Sequence, residues 1–212
     1  MKVHLCGSIG LDTVDEVMIT LGRLLNGNLV RVPDGEPGGR RLWIGWQYPV
    51  LRSSPYLEVD RDAGGSSHSK TAALRVRAGL EDALHFGELG YSREARASYE
   101  DFVRARCAGV LPPGVKFQVS LPTPFAVISS YISQDARPLV ERAYEAAMLR
   151  EVERMCAAIP HADLCIQWDV CTEMIISARP YRPMWTSGFI SATATLKAST
   201  SSSPAICKSS SR

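Results

Sequence analysis

With 212 residues, 45% of them hydrophobic and 22% charged, the chain is long enough to bury a full hydrophobic core. A formal net charge of +2 gives no field suited to nucleic acid or to an anionic membrane surface, so neither partner is expected. No run approaches the roughly 20 apolar residues of a membrane span. The start MKVHLCGSIG has no long apolar run, so no signal peptide is expected. Cys6, Cys107, Cys156 and Cys165 fall inside expected helices or strands, where a thiol packs as a small apolar side chain. A reducing cytoplasm is the expected compartment.

Lys2–Cys6, KVHLC, reads as a first strand, with Ser8 just past its end in GSIGLD. Asp12 or Thr13 can cap the helix that follows. Val14, Val17, Met18, Leu21, Leu24 and Leu25 recur there at helical spacing. Asn26-Gly27-Asn28 supplies a left-handed stop, and Leu29–Val32 reads as a second strand. A strand–helix–strand unit implies parallel strands and a right-handed crossover. Next comes PDGEPGGRR, residues 33–41, with Asp34 and Glu36 again just past a strand. Arg40 and Arg41 can bind an anionic group or pair with those acids. Trp43 and Trp46 either wall a pocket or pack as an aromatic cluster.

Tyr56–Val59 and Leu74–Val76 read as a hairpin or an excursion off the main sheet. Between them GGSSHSKT, residues 64–71, is one residue short of a phosphate-binding loop, with Ser69 where the second glycine belongs. The spacing predicts a surface loop there, with His68 solvated. Ser92–Ala108 reads as a helix with Tyr99, Phe102 and Val103 on its apolar side. Val115–Leu121, VKFQVSL, alternates as a third strand and ends beside Thr123. A long helix begins near Gln134 or Asp135, with Pro138 in its first turn. Its apolar face is Val140, Tyr144, Met148, Val152, Met155 and Ile159, and Glu141, Glu145, Arg150 and Glu153 fall outside it. Pro160 stops it, and His161 sits at its carbonyl end.

Ala162–Met174, ADLCIQWDVCTEM, then reads as a buried strand running out into acids. Alternation puts Cys165, Gln167 and Asp169 on one face and Ile166 and Trp168 on the other. An amide and a carboxylate on a buried strand are costly unless their face opens on a pocket or meets partners. Four expected strands thus end in polar groups: Ser8, Asp34 with Glu36, Thr123, and Gln167 with Asp169 and Glu173. Parallel strands point these ends the same way, which predicts a small-molecule site on that rim. A doubly wound sheet and half of an eight-stranded barrel both satisfy this reading.

GSIGLD, RVPDGEPGGR with RLWIGWQ, FQVSLPTP and DLCIQWDVCTEM together resemble the methionine-synthase-like barrel family. The family includes the C-terminal domain of cobalamin-independent methionine synthase; uroporphyrinogen decarboxylase belongs to the wider superfamily. The resemblance covers about residues 1–175. It implies a (β/α)8 TIM barrel, methyl or alkyl transfer to a thiol such as homocysteine, a folate-type methyl donor, and zinc to hold the thiolate. Ser8, Asp34, Glu36, Gln167, Asp169 and Glu173 are the expected substrate-binding residues. Asp169, helped by Glu36 or Asp34, is expected to take the amino group of an amino-acid thiol.

The chain departs from the family in two ways. The family's zinc is held by a His-x-Cys pair with further Glu and Cys ligands from later strands. Here His4 and Cys6 have that interval but lie in the first expected strand and read as core, so the zinc ligands are not found. A set of Cys171, Glu173 and Cys207 is the remaining combination. After about Ile176 the chain becomes rich in Ser and Thr and loses amphipathic period. Residues 176–212 therefore read as a disordered tail or as a frame-shifted end. A barrel of about 250 residues would be only half present, leaving an open edge for self-association. An inactive fragment or binding module, and a decarboxylase-like enzyme, are the alternative functions.

Overall fold

In the computed structural model of the chain, which describes residues 2–62, 71–170 and 172–174, helices pack around a small parallel sheet. Helix α1 (Val14–Leu25) starts at Thr13, whose side chain accepts from the Glu16 amide while Glu16 reaches back to the Thr13 amide. This reciprocal cap satisfies two donors that a helix start leaves unpaired. Val17, Met18 and Leu21 of the expected stripe are buried, whereas Leu24 is 75% exposed. Asn26, at φ +30°, ends the helix, and a single 3-10 turn over Asn26–Asn28 leads into strand β1 (Arg31–Pro33).

A 3-10 turn over Gly38–Leu42 and helix α2 (Gln47–Arg52) follow. Neither has enough apolar period to be read from sequence. Strands β2 (Leu57–Val59) and β3 (Leu74–Val76) pair antiparallel as an excursion off the main sheet. The GGSSHSKT stretch and His68 lie outside the described residues apart from Thr71. Then come α3 (Tyr91–Cys107), β4 (Lys116–Pro122), α4 (Pro124–Tyr131), α5 (Arg137–Ala158) and β5 (Leu164–Asp169). His161 at the end of α5 lies 3.1 Å from the Cys156 carbonyl, the helix-terminal role expected of it.

The sheet runs β1–β4–β5, all parallel, with Gln118 opposite Cys165 and Ser120 opposite Gln167. Alternation splits it into two faces. Val32, Phe117, Val119 and Leu121 point to the helices, and Phe117 meets Phe102 of α3 with ring centroids 5.6 Å apart. Each of those rings is fully buried, worth about 2–3 kcal/mol against exposure. Gln118, Ser120, Cys165, Gln167 and Asp169 share the other face with Arg31.

The expected first strand is not a ladder. Only Val3 pairs, through a parallel bridge to Leu29. Beyond it the chain crosses the polar face, where side chains bind its carbonyls in place of a neighbouring backbone. Gln118 donates to Leu5 O at 2.8 Å, and Ser120 and Gln167 donate to Cys6 O at 2.9 and 2.6 Å. His4 and Cys6 are consequently exposed rather than core. Cys6, Cys156 and Cys165 carry free thiols, whereas Cys107 is disulfide-bonded, against the expectation of a packed thiol there. No described helix is long and apolar enough to cross a membrane.

Two polar clamps hold α3. At its start Glu151 of α5, 0% exposed, accepts from the amides of Leu89 (3.2 Å) and Ser92 (2.6 Å) and from Arg154 (2.9 Å). A carboxylate at a helix N-terminus satisfies unpaired donors and meets the positive end of the dipole. Near its end Arg106 grips Asp163 with two bonds of 2.6 and 2.9 Å, joined by the Tyr99 hydroxyl at 2.6 Å. Burial alone would raise the Asp163 carboxyl, but Arg106 and Tyr99 bind its charged form and hold it below the usual carboxylate range.

Glu151→Ala leaves buried backbone donors without an acceptor, at about 1–3 kcal/mol each. Urea unfolding should show a loss of roughly 3–5 kcal/mol, with a smaller loss for Glu151→Gln. The depressed Asp163 carboxyl contributes stability that is present above its unfolded value near pH 4 and lost as pH falls through its lower folded value. Asp163→Asn should therefore lower the neutral-pH denaturation midpoint and flatten its decline below about pH 4.

Candidate functional site

The site is built on the C-terminal ends of β1, β4 and β5. Asp34, one residue past β1, is 7% exposed. Its carboxylate accepts from Arg40 Nη1 and from Ser98 Oγ of α3, each at 2.8 Å, and from the Glu36 amide at 3.0 Å. Those bonds fold the turn that follows the strand. Gly35 at φ +82° makes the turn possible, and a Cβ there would stand 2.6 Å from Val17 Cγ2.

The turn delivers Glu36 to the rim at φ +52°, a left-handed conformation costly for a residue with a Cβ. Ser8 donates to the Glu36 carboxylate, joining the N-terminal crossing to β1. Gly7 lets the crossing approach, since a Cβ would lie 3.0 Å from Ser120 Oγ. On β5, Gln167 donates to Asp169 at 2.8 Å as well as to Cys6 O. Burial pushes the Glu36 carboxyl up, Ser8 counters it, and Asp34 and Asp169 add repulsion against the attraction of Arg40. Burial likewise raises Asp169, against the pull of Gln167 and His4.

Ser8, Asp34, Glu36, Gln167 and Asp169 therefore meet, as the strand-end argument predicts. Glu173 stands in a second group: Thr123, which caps α4, donates to it. Its Oε2 is buried without a partner. Across from it, burial raises Glu141 of α5 to about 7, with Glu145 and Glu173 adding repulsion. Arg40 and Arg41 take the pairing role. Arg40 binds Asp34 and lies 3.6 Å from Glu94, and Arg41 binds Asp12 at 2.5 Å.

Beneath the rim lies a cavity of about 30 Å³, larger than the roughly 10–15 Å³ that a single water needs. Asp34, Glu36, Glu94 and Arg40 supply its charge, and Trp43, Trp46 and Tyr91 supply its aromatic wall. Both readings of the two tryptophans hold: they line a pocket, and Trp46 also packs edge-on against Tyr91 at 4.7 Å. Trp43, like Glu36, is held at positive φ, +53°. The Tyr91 hydroxyl lies 3.2 Å from that of Tyr144, which donates to Gln47 at 2.8 Å. Tyr91, Glu94 and Ser98 were not legible as site residues. All three sit on α3, whose sequence shows its helical period but not which end faces the rim.

Among the described residues no three His, Cys, Asp or Glu side chains converge as a metal site. Cys171 and Cys207 lie outside the described residues. No family model matches the chain, and comparisons with curated proteins and with solved structures return no match.

Burial raises the Glu36 carboxyl above its unfolded value, so its charge costs stability. That cost is absent below the unfolded value, grows as pH rises from there to the folded value, and is fully present above it. Glu36→Gln should raise the thermal midpoint at pH 7 and leave it unchanged at pH 3.5, measured by scanning calorimetry at both pH values.

Proposed function

We propose that the chain is the first half of a methionine-synthase-like (β/α)8 barrel whose rim binds an amino-acid thiol of the homocysteine type as a methyl acceptor. The observation that carries this reading is the convergence of Ser8–Glu36 with Gln167–Asp169 at the C-terminal ends of parallel strands. Supporting the barrel, β1, β4 and β5 lie side by side in chain order, with Val3 bridged to Leu29 just before β1. A doubly wound sheet instead reverses strand order at its ligand crevice.

In this reading Asp169 and Glu36 receive the substrate ammonium. Burial raises both carboxyls and Asp169 adds repulsion at Glu36, and a bound cation relieves both costs. Gln167 and Ser8 orient the two carboxylates, and the donor is of the folate type. Zinc, which the resemblance implies, does not fit the described residues, because no three donor side chains converge. No step is therefore routed through it. The second reading is a binding module without transfer activity. A decarboxylase-like reading is disfavoured, because Arg40 and Arg41 are already engaged by Asp34 and Asp12. Self-association through the outer edge of β5 is part of the proposed reading.

Titration calorimetry with homocysteine tests the reading. Saturable binding that weakens at least tenfold in Asp169→Asn, and that falls away as pH drops through the raised carboxyl values, is expected. Absence of binding by a folded protein, or equal binding by Asp169→Asn, overturns it.

A further inference from the structure

We infer that the cavity beneath the rim is a recognition pocket for a small alkylammonium head, of the size of methylammonium. This goes beyond the thiol reading and shares one residue with it, Glu36. Three aromatic side chains, Trp43, Trp46 and Tyr91, line one space together with Asp34, Glu36 and Glu94. Aromatic faces and carboxylates attract the same class of ligand, an organic cation with both apolar and charged surface. An inorganic cation would need oxygen ligands all round, which an indole-walled space does not offer.

The charges inside are not balanced. Among the lining residues three carboxylates face one guanidinium, Arg40, which is turned to Asp34 and Glu94; Arg93, outside the lining, also pairs with Glu94 at 3.4 Å, so the unmatched charge is that of Glu36. Asp34 has its acceptors filled by Arg40, Ser98 and the Glu36 amide. Glu36 accepts only from Ser8 among the described residues, which leaves acceptor capacity toward the cavity. No side-chain cation of the described residues already sits over these rings. Among the described residues the cation–ring contact is Arg106 over Phe102, far down α3 from this wall. The cavity's small volume selects a single compact head rather than a quaternary one. Both Glu36 and Trp43 line this space from backbone at positive φ, a conformation costly for residues with a Cβ.

The test is titration of the full chain with methylammonium chloride and, separately, tetramethylammonium chloride, against sodium chloride at matched ionic strength. Tryptophan fluorescence is the readout. A saturable change with methylammonium, at least tenfold tighter than with tetramethylammonium, is expected. Trp43→Leu and Glu36→Gln should each weaken it at least tenfold while circular dichroism stays native. Should Trp43→Leu fail to fold, Glu36→Gln, which keeps the cavity's shape, decides alone. No saturable change beyond the sodium control, or unchanged affinity in Glu36→Gln, overturns the inference. Homocysteine binding lost with methylammonium binding kept would sink the thiol reading and leave this one standing.

Discussion

The buried carboxylate of Asp34 is the constraint on which the rim depends. A charge at 7% exposure is tolerable only if its lone pairs are filled. Here a guanidinium and an amide from the segment that follows β1, and a hydroxyl from α3, fill them. Asp34 thereby fixes the 3-10 turn that carries Arg40, the middle of α3 through Ser98, and the backbone of Glu36. Losing it would leave Arg40 with Glu94 alone and release the turn that holds Glu36 at positive φ.

A second constraint works on the polar face of the sheet. The N-terminal crossing is bound by side chains from both β4 and β5, through the carbonyls of Leu5 and Cys6. Gln118, Ser120 and Gln167 are polar on an otherwise covered face because the crossing needs donors there. Side-chain donors replace a backbone ladder, so the crossing delivers Gly7 and Ser8 to Glu36 rather than extending the sheet. Carboxylates repel one another at this rim, and the crossing supplies one of the few neutral donors that ease the repulsion.

Helix α3 links the rim to the rest of the molecule. Glu151 binds its first turn and Asp163 its last, so its position along the sheet is set at both ends. Tyr91, Glu94 and Ser98 can line the site only because of that registration. Tyr91 also leads from the cavity into the buried chain of Tyr144 and Gln47. Site geometry and core stability therefore share residues, and changes deep in α5 are felt at the rim.

Periodicity and punctuation by themselves determined the long helices, the alternation of β4, and the polar ends of the strands. These depend on local spacing, which the residue order carries directly. They also placed Asp34, Glu36, Gln167 and Asp169 at one rim, because parallel strands share a direction, whereas Ser8 reaches it through the N-terminal crossing and not at a strand end. Tertiary structure alone decided the rest. Lys2–Cys6 has the composition of a strand, yet its pairing depends on donors more than a hundred residues away. Glu151 looks like any helix-surface acid until α3 presents its unpaired amides to it. Glu173 separates from the other acids because Thr123, not the sheet, orients it. In each case the deciding partner is distant in sequence, and which polar group satisfies which buried charge is a property of packing.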